Sequence, residues 1–146
     1  MQKITPFLWF DGNIENAVAF YTTIFPNSEV KEVSKQSATI QLEGQALVLF
    51  NGGAHFQLSP AFSMYINCES QQEIDDLWEK LLADGGEPSR CGWLKDKFGL
   101  SWQVVPPMLP RLLRDKNPIK AKQVMDAMLK MNKLEIAVLQ AAYDQE

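Results

Sequence analysis

The chain has few of the residues that most often hold metals or crosslink small folds. Its 146 residues include one histidine, His55, and two cysteines, Cys68 and Cys91. The spacing of the cysteines matches no zinc or redox motif, so we expect two free thiols. A chain of this length can bury most of its apolar surface without such crosslinks. We therefore expect a fold that is held together by its hydrophobic core.

Long apolar segments and dense basic runs are also missing. No apolar run reaches the roughly 20 residues of a membrane helix, and the N-terminal MQKITPFLWF lacks the pattern of a secretion signal. The net charge is −4, and the densest basic group, Lys116, Lys120 and Lys122, is interpreted as a solvated helix face. These features predict a cytoplasmic protein that binds neither nucleic acid nor a membrane.

The first third of the chain predicts one strand, one helix and three more strands. Ile4–Phe10 is an aromatic strand, and Pro6 lies near its start, where an edge strand tolerates proline. After the turn Asp11–Gly12, apolar residues recur at helical spacing, and Asn13 is the candidate helix cap. The three strands are expected at Glu29–Ser34, Ala38–Leu42 and Ala46–Phe50.

The same order of elements recurs in the middle of the chain. Phe62–Cys68 predicts a strand, and Ser70 with Glu73 forms a capping box at the start of a helix that Gly85–Gly86 ends. Further strands are expected at Ser89–Gly92, near Trp93 and at Leu100–Val105. The second helix starts about 56 residues after the first, so the order β-α-β-β-β is an internal repeat.

A helical tail is predicted after Pro106–Pro107, where the second unit ends. Helices are expected near Leu112, over Ile119–Lys130 and over Leu134–Tyr143. Their apolar stripes are more typical of a core or a dimer interface than of a ligand site. The chain is thus predicted to be one α+β domain, with module one at about 1–53, module two at about 60–106 and the tail at 107–146.

Three segments of the sequence resemble PhnB-like proteins, which are also described as 3-demethylubiquinone-9 3-methyltransferase-like. The segments are ITPFLWFDGNIENAVAFYTTIFPNSEV, the loop NGGAHF and CGWLKDKFGLSWQVVP. We expect the resemblance to cover nearly the whole chain, tail included. That family belongs to the vicinal-oxygen-chelate superfamily of glyoxalases and bleomycin-resistance proteins. The resemblance implies two βαβββ modules that form a glyoxalase-like half-open barrel, and a homodimer.

The resemblance also identifies positions where active superfamily members bind a divalent metal through His, Glu or Gln. The first-strand positions fall near Pro6 and Ser63, and the final-strand carboxylate position falls on Gln103. Because such metals need several His or carboxylate ligands, we expect no metal and no other cofactor. Strand alternation places Gln103 on one face with Ser101 and Val105. There it is either a hydrogen-bonding group for a ligand or a satisfied structural amide.

Two residues are candidates for catalysis. His55 follows the glycine loop and has a side chain that titrates near neutral pH, so it is either a general acid or base or an exposed loop histidine. Cys91 would be a reactive thiol only if a cation such as Lys95 lowered its pKa.

Five further residues, together with Gln103, are candidates for ligand binding. Asn51 either bonds a ligand or holds the Gly52–Gly53 turn. Aromatic side chains would form the wall of a site for an organic compound, or pack in the core; these are Trp9, Phe56, Tyr65 and Trp93.

Two classes of function remain open. The first is a metal-independent protein that binds a small organic molecule without changing it, and the second is a metal-independent enzyme that uses His55 or Cys91. The first is favoured because the sequence contains no recognisable triad or carboxylate pair. The methyltransferase description finds no support in the glycines, because neither Gly52–Gly53 nor Gly85–Gly86 lies between a strand and a following helix.

Overall fold

The computed structural model describes residues 2–146. The chain divides into two compact units, of which the first extends to Ser59 and the second runs from Pro60 to Glu146. Each unit contains one βαβββ module, and the second also contains the helical tail. The repeat predicted from the order of elements is therefore confirmed.

The first module is a four-stranded sheet with one helix against it. The strand order is β1-β4-β3-β2; β1 runs parallel to β4, and the other neighbours are antiparallel. The strand β1 is an edge strand, as Pro6 indicated. The elements are β1 (Phe7–Phe10), α1 (Ile14–Ile24), β2 (Ser28–Val33), β3 (Ser37–Leu42) and β4 (Gln45–Asn51).

Strand alternation separates a buried face of this sheet from an open face. Ile40 on β3 pairs with Leu47 on β4, and both are fully buried. The helix α1 contacts β3 and β4 and contributes Ala17 and Tyr21, which are also fully buried. Because successive strand residues point to opposite faces, Trp9 and Phe50 lie on the face opposite α1.

The second module repeats this topology with shorter outer strands. The strand order is β5-β8-β7-β6, with β5 parallel to β8, and this sheet is open like the first. Its helix buries Ile74 and Leu81, and Trp102 and Val104 of the last strand are also buried. The elements are β5 (Ser63–Asn67), α2 (Gln71–Leu82), β6 (Glu87–Pro88), β7 (Trp93–Lys95) and β8 (Ser101–Val105).

A buried carboxylate shapes the turn between β7 and β8. Asp96 is 2% exposed, and its Oδ1 accepts hydrogen bonds from the backbone N–H groups of Phe98 (2.8 Å) and Leu100 (3.1 Å). Its Oδ2 accepts a hydrogen bond from Trp102 Nε1 at 2.9 Å. One carboxylate therefore fixes both the turn and the indole on the following strand, which satisfies the general requirement that a buried charge be hydrogen-bonded.

The tail folds as three helices on the second module. They share a buried cluster with the end of β8 that includes Val105, Leu112, Val124 and Leu134. The side chain of Asn117 caps the middle helix by accepting a hydrogen bond from the Ile119 N–H at 3.0 Å. None of the helices in residues 2–146 is long and apolar enough to cross a membrane. The helices are α3 (Met108–Leu113), α4 (Pro118–Met128) and α5 (Ile136–Asp144).

Two local predictions are wrong for the same physical reason, a backbone in the left-handed region. The predicted strand Ser89–Gly92 is a turn, because Cys91 (φ 60°) and Gly92 (φ 87°) cannot continue an extended chain. Asn13 precedes α1, but at φ 57° its side chain makes no capping hydrogen bond. The capping prediction for α2 is confirmed, because Ser70 Oγ accepts a hydrogen bond from the Glu73 N–H at 3.1 Å.

Candidate ligand-binding site

The open face of the second module has Gln103 at its centre. Gln103 on β8 pairs with Tyr65 on β5 and with Trp93 on β7. Its neighbours Trp102 and Val104 lie on the opposite, buried face of the strand. The strand register brings three of the predicted ligand-binding residues together, whereas Ser101 and Val105, which alternation predicts on the same face, are buried.

The amide of Gln103 is partly satisfied within the sheet. Its Nε2 donates a hydrogen bond to Ser63 Oγ at 3.0 Å, and the residue is half-buried. That bond uses the amide nitrogen, whereas the carbonyl oxygen has two lone pairs that accept hydrogen bonds. The side chain is thus a structural amide and a group on the open face, so the two alternatives left by the sequence are compatible.

Tyr65 contributes a phenol to this face, and the positive charge of Arg114 acts on that phenol. The residue is 48% exposed, and partial burial raises the pKa of its phenol above the ordinary 10.0, while the positive charge of Arg114 opposes that rise. The hydroxyl is therefore protonated at neutral pH and can donate a hydrogen bond. Arg114 was not identified from the sequence, because it lies in the tail and far from Tyr65 along the chain.

The open face of the first module contains a cluster of aromatic rings. Phe50 lies between Phe7 and Trp9, with ring-centroid distances of 5.3 and 5.1 Å, and Phe56 meets the Trp9 ring edge-on at 5.0 Å. Phe7 and Phe56 are exposed. The sequence singled out Trp9 and Phe56 but missed Phe7 and Phe50, because the parallel pairing of β1 with β4 joins strands that are distant in sequence.

Trp9 is fixed by the loop that follows β4. Its Nε1 donates a hydrogen bond to the Gly53 carbonyl oxygen at 2.9 Å. The backbone of Gly52 lies so close to the indole that an added Cβ would fall 2.1 Å from the Trp9 ring. Only glycine fits at position 52 with Trp9 in this place, so the glycine loop serves to hold an aromatic side chain.

Asn51 and His55 occupy the two ends of this loop region. Asn51 Oδ1 accepts a hydrogen bond from the Gly12 N–H at 2.8 Å, so it holds the turn between β1 and α1. The expectation that it holds the Gly52–Gly53 turn is wrong, because its side chain points back to the end of β1. His55 is exposed and adjoins Phe56 in the loop.

The two cysteines are free thiols in different surroundings. Cys68 is fully buried, and burial raises the pKa of its thiol to about 12. Cys91 is half-buried, two residues before Trp93, and its backbone N–H donates to the Met131 carbonyl oxygen at 2.8 Å. Cys91 lies in the turn that precedes β7, and Cys68 directly follows β5.

Comparisons with known proteins identify a family and a fold. The family model for 3-demethylubiquinone-9 3-methyltransferase matches residues 2–105. A PhnB protein from Bacillus cereus, described by the same family name, is 35% identical over 72% of this chain and 99% of that chain, with a TM-score of 0.66. No curated protein matches the chain. The family match ends with β8, so the expectation that the resemblance extends over the tail is not confirmed.

More distant structures share the fold alone. The fosfomycin resistance protein FosX from Listeria monocytogenes, solved with Mn(II) and sulfate, is 16% identical over 78% of this chain and 98% of that chain, with a TM-score of 0.59. A glyoxalase-related enzyme from Fulvimarina pelagi is 18% identical over 69% of this chain and 86% of that chain, with a TM-score of 0.50. These matches agree with the half-open barrel fold implied by the two open sheets.

The side chains around Gln103 on the open face of the second module do not fit a divalent metal of the kind that FosX holds. Around Gln103 they are a hydroxyl, a phenol and an indole, whereas such ions are held by several carboxylates, imidazoles or thiolates. Within residues 2–146, no group of three or more His, Cys, Asp or Glu side chains could hold a metal ion. This arrangement can instead form hydrogen bonds and aromatic contacts with an organic molecule.

Proposed function

Because the chain belongs to the 3-demethylubiquinone-9 3-methyltransferase family of the vicinal-oxygen-chelate superfamily, we propose that it binds a small organic ligand without a metal. The site is the open face of the second module, and Gln103, Tyr65 and Trp93 contact the ligand. The observation that carries the proposal is the position of one neutral amide between two aromatic side chains on paired strands.

The chemistry of these side chains favours a flat ligand with apolar area and a hydrogen-bonding edge. Small-molecule sites combine apolar and aromatic walls with a few placed polar groups. Gln103 offers both a donor and an acceptor, and Tyr65 offers a donor. Trp93 provides a broad face for stacking, and each aromatic contact contributes about 0.5–1.5 kcal/mol beyond its burial. In the first module, Trp9 and Phe56 form a second aromatic surface to which we assign ligand contact.

A metal-independent enzyme is the second candidate function, and one observation favours it. Cys91 is a half-buried free thiol in the turn that leads into β7, two residues before Trp93. In that case Cys91 acts as the nucleophile, and Gln103 orients the substrate. His55 is the alternative acid or base, but it is exposed on a loop, and Asn51 is engaged with Gly12. The family name alone does not establish methyl transfer.

We further propose a cytoplasmic homodimer. Apolar side chains exposed on the edge strand β2 of the first module support a partner surface, because large exposed apolar groups often mark an interface; they are Val30 and Val33. Sedimentation velocity tests the proposal: a single species of twice the mass of 16.6 kDa is expected. A monomer at micromolar concentration would contradict it.

The ligand-binding proposal is tested with 8-anilinonaphthalene-1-sulfonate, an aromatic probe with a polar edge. We expect saturable binding that EDTA leaves unchanged. Gln103→Leu keeps the size of the side chain but removes its hydrogen bonds, and should weaken binding about three- to tenfold. Trp93→Ala should weaken it at least as much, because stacking area is lost.

Gln41→Leu is the matched control. Gln41 is also a half-buried glutamine on a strand, but it belongs to β3 of the first module. Its replacement should leave probe affinity unchanged. Equal losses in the Gln41 and Gln103 variants, or binding that requires added Mn²⁺, would refute the proposed site.

A further inference from the structure

The helical tail lies outside the family match, and the module that it covers has short outer strands. The family model ends at residue 105, whereas the three tail helices begin at Met108. In the first module β2 and β3 have six residues each. The corresponding strands of the second module, β6 and β7, have two and three residues. The second module therefore has fewer ladder hydrogen bonds of its own to hold the strand that contains Trp93.

The linker between α4 and α5 supplies backbone hydrogen bonds at this place. The Cys91 N–H donates to the Met131 carbonyl oxygen at 2.8 Å, and the Gly92 N–H donates to the Asn132 carbonyl oxygen at 2.7 Å. Two successive amides are thus bound by two successive carbonyls from about 40 residues later in the chain. The next residue after this turn is Trp93.

Side-chain packing fixes the same turn from the tail. Gly92 lies between the tail and β8: an added Cβ would fall 2.8 Å from Leu134 Cδ1 and 3.0 Å from the Val104 carbonyl oxygen. Gly92 also accepts a hydrogen bond from the Val104 N–H at 2.8 Å through its own carbonyl oxygen. Leu134 is fully buried, so the linker cannot shift without opening this contact.

Gln71 on α2 binds the end of the linker that leads into α5. Its Nε2 donates to the Leu134 carbonyl oxygen at 3.0 Å, and its Oε1 accepts from the Ile136 N–H at 2.8 Å. One half-buried amide therefore holds the backbone on both sides of Glu135, the residue that precedes α5. Lys133 adds an ion pair with Asp75 at 2.9 Å.

We propose that the tail is a positioning element of the ligand-binding face, and that Gln71 is its positioning residue. Gln71 holds the linker, the linker holds the Cys91–Gly92 turn, and the turn sets the indole of Trp93 beside Gln103. The effect on ligand affinity rests on the proposed function. The effect of Gln71 on the position of Trp93 depends only on the hydrogen bonds described above.

The test replaces Gln71 with methionine, which keeps the length of the side chain and removes both hydrogen bonds to the linker. Two signals are followed by NMR: the Trp93 indole N–H resonance, assigned with Trp93→Phe, and hydrogen exchange of the Cys91 and Gly92 amides. In Gln71→Met we expect the Trp93 resonance to shift and both amides to exchange about tenfold faster. The resonance of the Trp102 indole, which is bonded to Asp96, should stay in place.

Gln72→Met is the matched control. Gln72 is the next residue on α2, and its Nε2 donates to Asp76 at 3.0 Å, just as Gln71 donates to Asp75 at 3.0 Å. It makes no bond to the linker, so its loss should leave Trp93, Cys91 and Gly92 unchanged. Lys133→Met is a second test variant, because it weakens the same attachment without altering α2 itself, and a smaller change of the same sign is expected.

The outcomes separate this proposal from the proposed function. Unchanged Trp93 and Gly92 signals in Gln71→Met would overturn the positioning role, whatever the probe does. If the signals change as expected, affinity for 8-anilinonaphthalene-1-sulfonate should fall several-fold in Gln71→Met and remain unchanged in Gln72→Met. Failure of the wild-type protein to bind the probe would refute the proposed site and leave the NMR result standing.

Discussion

Gln103 occupies a position where a charged side chain and a neutral one would have opposite consequences. A carboxylate there would favour a cation, whereas the amide donates to Ser63 and remains uncharged at any pH. The strand neighbours, Tyr65 and Trp93, are also neutral at physiological pH. At this scale the site is a hydrogen-bonding patch with aromatic sides.

The two thiols should differ sharply in reactivity. Because the folded-state pKa of Cys68 is raised from 9.0 to about 12, the neutral buried thiol stabilises the fold below about pH 9, and that contribution is lost as the pH rises toward 12. With a disulfide reagent at pH 8, we expect Cys91 to react in the folded protein and Cys68 only after denaturation. Cys91→Ser should abolish the folded-state reaction. Rapid modification of both thiols would contradict this placement of Cys68.

The phenol of Tyr65 should respond to the charge of Arg114. Partial burial raises the Tyr65 pKa above 10.0, and Arg114 counteracts part of that rise by favouring the phenolate. Arg114→Gln should therefore raise the Tyr65 pKa further, as measured by NMR titration of tyrosine labelled at the Cζ carbon. Lys116→Gln changes a nearby charge of the same sign and is the control. A lower pKa in Arg114→Gln would show that the two groups do not interact as described.

At the scale of elements, the turn between β7 and β8 depends on the Asp96 carboxylate. Asp96→Asn places an amide where three groups now donate, so either Trp102 or the turn loses an acceptor. Because hydrogen bonds to a buried charge contribute about 1.5–3 kcal/mol each, we expect the free energy of unfolding to fall by roughly 2–4 kcal/mol.

Urea denaturation measures that loss, and the surface variant Asp76→Asn serves as the control. A double-mutant cycle with Trp102→Phe isolates the indole–carboxylate contact. If Asp96→Asn and Asp76→Asn cost the same, the carboxylate does not stabilise the turn.

Sequence periodicity predicted the helices and strands better than it predicted the turns that connect them. The helix α2 follows from the spacing of Ile74 and Leu81 and from the Ser70 cap, which are local features. The turn at Cys91–Gly92 could not be predicted in the same way, because its left-handed backbone is held by Met131 and Asn132 in the tail. Long-range hydrogen bonds decided the structure there, and sequence spacing carries no signal for them.

The same limit applied to the candidate site. Gln103 is the one half-buried residue of β8, and the aromatic candidates Tyr65 and Trp93 lie on the strands beside it. Phe50 was not predicted as part of the aromatic cluster, because its contact with Trp9 requires the parallel register of β1 and β4. Asn51 was predicted either to bind a ligand or to hold the Gly52–Gly53 turn, and its bond to the distant Gly12 N–H had no signal in the local sequence.

At the scale of the whole molecule, two units of one topology have diverged in the chemistry of their open faces. Position by position along the paired strands, Trp9 and Phe50 of the first unit correspond to Tyr65 and Gln103 of the second. The apolar faces against α1 and α2 remained similar, because both must bury a helix. The difference between the two units is therefore concentrated on the faces to which we assign ligand contact.

Native mass spectrometry of the purified protein, before and after EDTA, tests the central claim most directly. We expect an organic adduct that EDTA does not remove and that Gln103→Leu diminishes, while Gln41→Leu retains it. A stoichiometric divalent metal ion that is lost with EDTA would contradict metal-free ligand binding.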